Sequence, residues 1–304
     1  MDGGIPFPPR VDPEGNRAEG MARILIAGCG YVGNALGERL LADSDTVWGL
    51  RRGPGLLASG IRRIEADLAV SATLRDLPGD LDFVVYAASP GGRDDAHYRT
   101  AYVEGVCRLL EALESRDQRP QRFFFVSSTS VYEQSSGEWV DEDSPTQPEH
   151  FSGRRLLEAE RLVAAGPYPY TIVRFGGIYG PRRTRMLDQV RTGRAVYAPG
   201  RPRFTNRIHR DDCAGALHHL IRLPEPESLY LGVDSEPAEE ASVMRWIAGA
   251  VGAPTPRLAR GTEAKSLRAR SNKRCRNDRL LASGYAFEYP TFREGYAALI
   301  AGLR

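Results

Sequence analysis

The stretch Ile24-Leu25-Ile26-Ala27-Gly28-Cys29-Gly30-Tyr31-Val32-Gly33 runs an apolar segment straight into glycines spaced G-x-G-x-x-G. No other stretch constrains the chain as much. Gly28 and Gly30 remove the side chains that would keep a backbone from approaching a pyrophosphate, and Gly33 lets the following helix pack close to the strand. The helix that follows has free N–H groups and a positive dipole end, which favour a diphosphate at that spot. Gly28, Cys29, Gly30, Tyr31, Val32 and Gly33 are therefore candidate cofactor contacts, although a glycine turn between strand and helix also occurs with no ligand.

Apolar runs of strand length recur at 23–27, 45–50, 61–65, 82–87, 122–127 and 170–174, with helical periodicity at 31–42, 94–114 and 152–165. Leu36, Leu40 and Leu41 share one helix face, and Val106, Leu109, Leu110 and Leu113 share another. Alternation of this kind builds a doubly wound α/β fold, a Rossmann-type parallel sheet whose ligands sit at the carboxyl ends of the strands. Beyond it, 212–223 and 240–251 read as helices and Ser228–Val233 as a strand, with Pro254 and Pro256 stopping the second helix.

At the end of the second strand, where an acid usually holds the ribose of NAD, the sequence places Arg51 and Arg52. Arginines favour a 2′-phosphate, so NADP is the expected cofactor, with NAD the alternative and solvated loop charges the bland reading. Asp67 and Leu68 end the third strand, the acid positioned to reach an adenine. Ala87 and Ala88 end the fourth with the small residues a nicotinamide ribose needs.

Composition narrows the class. The 304 residues carry a formal charge of +2 and no apolar run that approaches the length of a membrane helix. Cys29, Cys107, Cys213 and Cys275 lie far apart with no C-x-x-C pair, which argues against zinc or a disulfide framework, and no signal peptide opens the chain. The expectation is a cytoplasmic protein with no metal. Residues 1–20, with Pro6, Pro8, Pro9 and Pro13, read as a flexible leader, and Met21 stands where a start would suit the first strand.

The order of motifs resembles the extended short-chain dehydrogenase/reductases, the NAD(P)-dependent epimerase/dehydratase group, from about Arg23 to the C-terminus. Arg122 to Tyr132 carries the serine-rich turn Ser127-Ser128-Thr129-Ser130-Val131-Tyr132, and Ile172 to Pro181 resembles the sixth strand and the loop beyond it. Ile208-His209-Arg210-Asp211-Asp212-Cys213-Ala214 resembles the start of the returning helix, with Asp211 or Asp212 as its cap, and Asn272 to Thr291 resembles the family's C-terminal end.

The resemblance implies a dinucleotide-binding domain over 21–175, rejoined by 208–228, and a small C-terminal substrate lobe from 176–207 and 229–304. It also implies pairing into a homodimer through the helices at 94–114 and 152–165. A tyrosine four residues before a lysine does the family's proton transfer. Aligning Glu158 with the family's helix glutamate puts His150 and Arg154 in those places, and Tyr102-Val103-Glu104 where the family usually has an asparagine. Ser128 with His150 and Arg154 is the candidate substitute catalytic set. Ser128 bonds the substrate oxygen, His150 moves the proton and Arg154 holds the ribose. The competing reading makes these three a turn cap, a loop residue and a helix surface charge.

Between Arg174 and Arg210 lie eight further arginines and the single acid Asp188. Arg174, Arg203, Arg207 and His209 are the candidate contacts for a small anionic substrate, for which the resemblance suggests the nucleotide-sugar that this lobe grips in the resembling enzymes. Nucleic acid ranks lower, because the run lacks interleaved aromatics. The expectation is an NADP(H)-binding epimerase, dehydratase or reductase with an altered proton relay; the alternative is a sensor or scaffold that keeps the dinucleotide without the chemistry.

Overall fold

The computed structural model describes residues 21–268 and 271–303. The leader expected over 1–20 lies outside the described residues. Seven strands form one parallel sheet: β1 Arg23–Ala27, β2 Thr46–Arg51, β3 Arg62–Glu65, β4 Phe83–Tyr86, β5 Arg122–Ser128, β6 Tyr170–Phe175 and β7 Leu229–Gly232, in the order 7-6-5-4-1-2-3. The chain winds outward from β1 to β3, returns to β4 on the other side of β1 and winds outward again. A crevice therefore opens where the strand order reverses, at the carboxyl ends of β1 and β4.

Alternation along the strands splits the core in two. Leu25 and Ala27 face one side with Val84, Phe123 and Phe125, while Ile24 and Ile26 face the other with Val85 and Phe124. Helices α1 Tyr31–Ala42 and α6 Arg210–Arg222 cover the second face, and Leu36, Leu40, Leu217 and Leu220 are fully buried there. Arg222 ties the two helices by donating to Asp43 and to the buried Asp45.

The helical segment expected over 94–114 is not one regular helix. It runs as α2 Asp95–Tyr98, a π-helical stretch Arg99–Glu104 and α3 Gly105–Glu114. The cause is a side chain from the sheet. The hydroxyl of buried Tyr86 donates to the Ala101 carbonyl, and the Gly105 N–H donates instead to Thr100. Only glycine fits at that point, since a Cβ on Gly105 would lie 2.3 Å from the Tyr86 oxygen.

α4 Phe151–Ala165 lies on the same side of the sheet as α3, with Leu156 and Val163 in the shared core. Outside the sheet, α5 Arg185–Arg191, α7 Glu240–Val251 and α10 Phe292–Ala301 enclose a third apolar cluster that includes Leu187, Val243, Ile247 and Tyr296. α8 Gly261–Arg268 and α9 Asp278–Ala282 complete the helices described. Among the described residues no helix is long and apolar enough to cross a membrane.

The expected cap of the returning helix is corrected. His209, not an aspartate, caps α6, its Nδ1 accepting from the Asp211 N–H at 3.3 Å. Asp212 is buried and holds the C-terminal segment. It accepts from the Tyr285 hydroxyl at 2.8 Å and from the Glu288 and Tyr289 amides at 2.8 and 3.0 Å.

Candidate functional site

A cavity of about 800 Å³ occupies the crevice. Its walls include Gly28, Cys29, Gly30, Tyr31, Val32, Arg51, Arg52, Asp67, Leu68, Ala87, Ala88 and Ser128, which stand far apart in the sequence. The glycines divide the work. Gly28 has φ +89° and no room for a side chain, since a Cβ would lie 2.3 Å from the backbone of Ala88. Gly33 lies against β1, where a Cβ would meet Ile26 Cγ2 at 2.8 Å.

Gly30 faces open space, where a Cβ would come no nearer than 3.8 Å to another atom. The start of α1 at Tyr31 has no side-chain cap. An unfilled approach beside an uncapped helix N-terminus fits a diphosphate in both shape and polarity.

The two arginines after β2 separate. Arg51 folds under its own loop, its Nη1 donating to the Leu56 carbonyl at 3.3 Å and its head packed against Gly55. Arg63 reinforces that loop through the Gly53 and Gly55 carbonyls. Arg52 is exposed and has no ion-pair or hydrogen-bond partner among the described residues. Asp67 lines the cavity while its Oδ1 accepts from the Ala69 N–H at 2.9 Å.

The serine turn reaches the cavity as expected by position. Ser128 Oγ accepts from the Ser130 N–H at 3.2 Å. His150 and Arg154 are not among the cavity walls. His150 is exposed and caps α4, with Nδ1 2.8 Å from Ser152 Oγ, and Arg154 is exposed on the outer side of that helix. The side of α4 turned toward the sheet carries Gly153, Leu156 and Glu160, so this helix sends neither an imidazole nor a cation into the cavity.

Three groups outside the candidate set also line the cavity: Tyr102 from the π-helical stretch, His97 from α2, and Arg183, one of the basic run, from the turn after strand Gly177–Tyr179. Tyr102 is held between Tyr98 and Phe125, at ring-centroid distances of 5.6 and 6.4 Å. Its hydroxyl has no hydrogen-bond partner among the described residues. Burial pushes its pKa well above the ordinary phenol value, against a downward pull from Arg183. Arg183 stacks over Tyr31, 4.3 Å from the ring centroid, and Tyr31 donates to the Pro181 carbonyl at 2.8 Å. The glycine turn and the arginine turn are thus fastened to each other.

Arg183 also lines a second cavity of about 560 Å³, which contains Arg185, Arg194, Thr205, Arg207 and Tyr296 in its walls. Arg207 is buried; its Nη2 donates to Thr205 Oγ1 and its Nη1 has no partner. Near it the Tyr179 hydroxyl, His209 Nε2 and Asp234 Oδ2 are also buried and unpaired. Burial pushes the Asp234 carboxyl up to about 7, despite Arg207. The other substrate candidates are placed differently. Arg174 is buried on Glu160, and Arg203 is spent on the buried Glu240. His209 packs on Tyr289 at 4.0 Å and caps α6. Of the four, Arg207 alone combines a place in a cavity wall with an unpaired donor.

Comparisons with known proteins agree with this architecture. The chain is 28% identical over 313 residues to a 3-diazoavenalumate denitrifying reductase of Streptomyces, covering 90% of this chain and 98% of that protein. An NAD-dependent epimerase/dehydratase candidate from Methylobacillus flagellatus superposes with a TM-score of 0.78 at 41% identity, over 93% of this chain and 99% of that one. The human epimerase family protein SDR39U1, solved with NADPH, shares the fold at 21% identity, with a TM-score of 0.74 over 90% of this chain and 97% of its own. Residues 24–231, from the first strand to the seventh, match the NAD dependent epimerase/dehydratase family, a family of nicotinamide-dependent enzymes, and the chain belongs to it.

Proposed function

We propose that the protein is an NADP(H)-dependent reductase of a small anionic acceptor, bound across the two cavities that Arg183 joins. That shared wall is the observation that carries the reading: one exposed guanidinium stands between the crevice of about 800 Å³ and a second pocket that has four arginines in its walls. Gly28 to Val32 and the start of α1 would hold the diphosphate, and Arg52 supports the choice of the phosphorylated coenzyme. Such a coenzyme supplies hydride when bound. Arg207 and Arg183 hold the acceptor's negative charge and orient it. Ser128 bonds the oxygen or nitrogen that gains electron density, and Tyr102 donates the proton, its raised pKa keeping the phenol protonated at neutral pH.

The likeness to a protein named as a reductase favours reduction over epimerisation. A cytoplasmic location, with its supply of reduced coenzyme, belongs to the same reading. The test is loss of reduced-nicotinamide absorbance when the protein and NADPH meet a panel of nucleotide-sugars, keto acids and aromatic diazo acids. Consumption with one class, cut by about 100-fold or more in Tyr102→Phe, supports the reading. Tight NADPH binding with no turnover of any class favours the sensor instead.

A further inference from the structure

Helix α2, which follows β4, brings a histidine to the arginine that follows β2. A Cβ on Gly91 would lie 3.3 Å from Arg52 Nη2 and 3.9 Å from His97 Cδ2, so guanidinium and imidazole flank the same glycine at one end of the large cavity. The ring is fixed there by its surroundings. Asp94 caps α2 by accepting from the His97 N–H at 2.9 Å, and both its carboxylate oxygens lie 2.8 Å from Nδ1. The ring also lies close against the backbone of Gly92, where a Cβ would fall 2.6 Å from Nδ1. With Nδ1–H given to Asp94, the ring nitrogen left is Nε2, which has no partner among the described residues. Nε2 donates only from the imidazolium.

An anchored histidine and an unpaired arginine on either side of the same glycine make a site for a phosphate monoester. Resting on the reading of the cavity as a nicotinamide coenzyme site, we propose that Arg52 and His97 together bind the 2′-phosphate of NADP, with Arg51 building the loop beneath it. Asp94 caps the helix that carries the ring, and Arg52 reaches it from the loop after β2; Asp95, the next acid, is taken by Arg155 at 2.8 Å. Protonated, His97 cancels Asp94 and donates to the phosphate.

The experiment measures binding of NADPH and of NADH to the full-length protein, wild type, Arg52→Ala and His97→Ala, by calorimetry. His97→Ala is expected to weaken NADPH by about tenfold and to leave NADH within about twofold. Arg52→Ala also weakens NADPH selectively. Equal losses of both coenzymes in His97→Ala would place the histidine on the diphosphate and overturn the proposal, as would an unchanged NADPH to NADH ratio. If wild type binds neither coenzyme, the underlying reading of the cavity fails, an outcome distinct from either of these.

Discussion

Glu160 and Arg174 form a bidentate ion pair inside the protein, with Arg174 Nε 3.0 Å from Oε1 and Nη2 2.6 Å from Oε2. The Ser127 hydroxyl donates to the same carboxylate at 2.5 Å, and the remaining Arg174 nitrogen donates to the Tyr132 hydroxyl at 2.7 Å. Helix α4, strand β6 and both ends of the serine turn are therefore locked by one buried charge pair. Arg174 is thereby a holder of the turn that presents Ser128. Glu160→Gln should cost about 3–5 kcal/mol in urea unfolding, because a buried guanidinium loses its counter-charge. Replacing both residues by Met should restore a good part of that loss. If the single and double variants lose the same amount, the pair is not the source of the cost.

The glycine turn yields a contrast that separates fold from binding. Gly28→Ala forces a side chain into the Ala88 backbone at a φ of +89°, so it should destabilise the protein by more than about 2 kcal/mol. Gly30 has φ −106° and open space around its missing Cβ. Gly30→Ala should unfold within about 1 kcal/mol of wild type and yet bind NADPH at least about tenfold more weakly. Thermal unfolding with and without coenzyme reads both effects in one measurement.

Much of the architecture is legible before any coordinates, because it rests on contiguous signals. The β1 apolar run, the glycines that follow it and the serine turn are each spelled out within a dozen residues, and the structure puts them around one cavity. What escapes is anything assembled from separate elements. Arg174 and Arg203 count as free charges in a basic run until Glu160 and Glu240, 14 and 37 residues away, turn out to hold them. Tyr102 faces the cavity from a π-helical stretch that Tyr86 imposes from another strand. The α4 alignment turns on which of two nearby glutamates is the internal one. Leu156, Ala159, Glu160 and Val163 follow the buried helical spacing, so the acid on that face was the available signal. Glu158 lies off it, paired with Arg155.

The placement of His150 has a direct consequence. As the cap of α4 it accepts from the Ser152 N–H at 3.3 Å, outside the cavity walls. His150→Ala should therefore lower stability by about 0.5–1 kcal/mol while leaving the affinity for NADPH and the rate of any reduction unchanged. A steady-state comparison with the first substrate identified settles it, and a tenfold fall in turnover would return the histidine to the mechanism.

Asp234 should make the stability of the folded chain depend on pH in the opposite sense to most carboxylates. Its side chain is 1% exposed, and burial raises its pKa from 3.8 to about 7. Between those values the folded chain holds a proton that the unfolded chain has released, so stability is withdrawn as the pH rises through that window. The slope is about 1.4 kcal/mol per pH unit at most, and the loss is complete above the folded pKa. Asp43 and Asp95, held below their ordinary range by His218 and by Arg155, contribute with the opposite sign in wild type and variant alike. Asp234→Asn keeps the oxygen that accepts from the Glu236 N–H and removes the titration. Its unfolding free energy relative to wild type should climb from about pH 4 to about pH 7 and then level off. Parallel curves for the two proteins would mean that the buried carboxyl is ionised throughout, with Arg207 already neutralised before any substrate arrives.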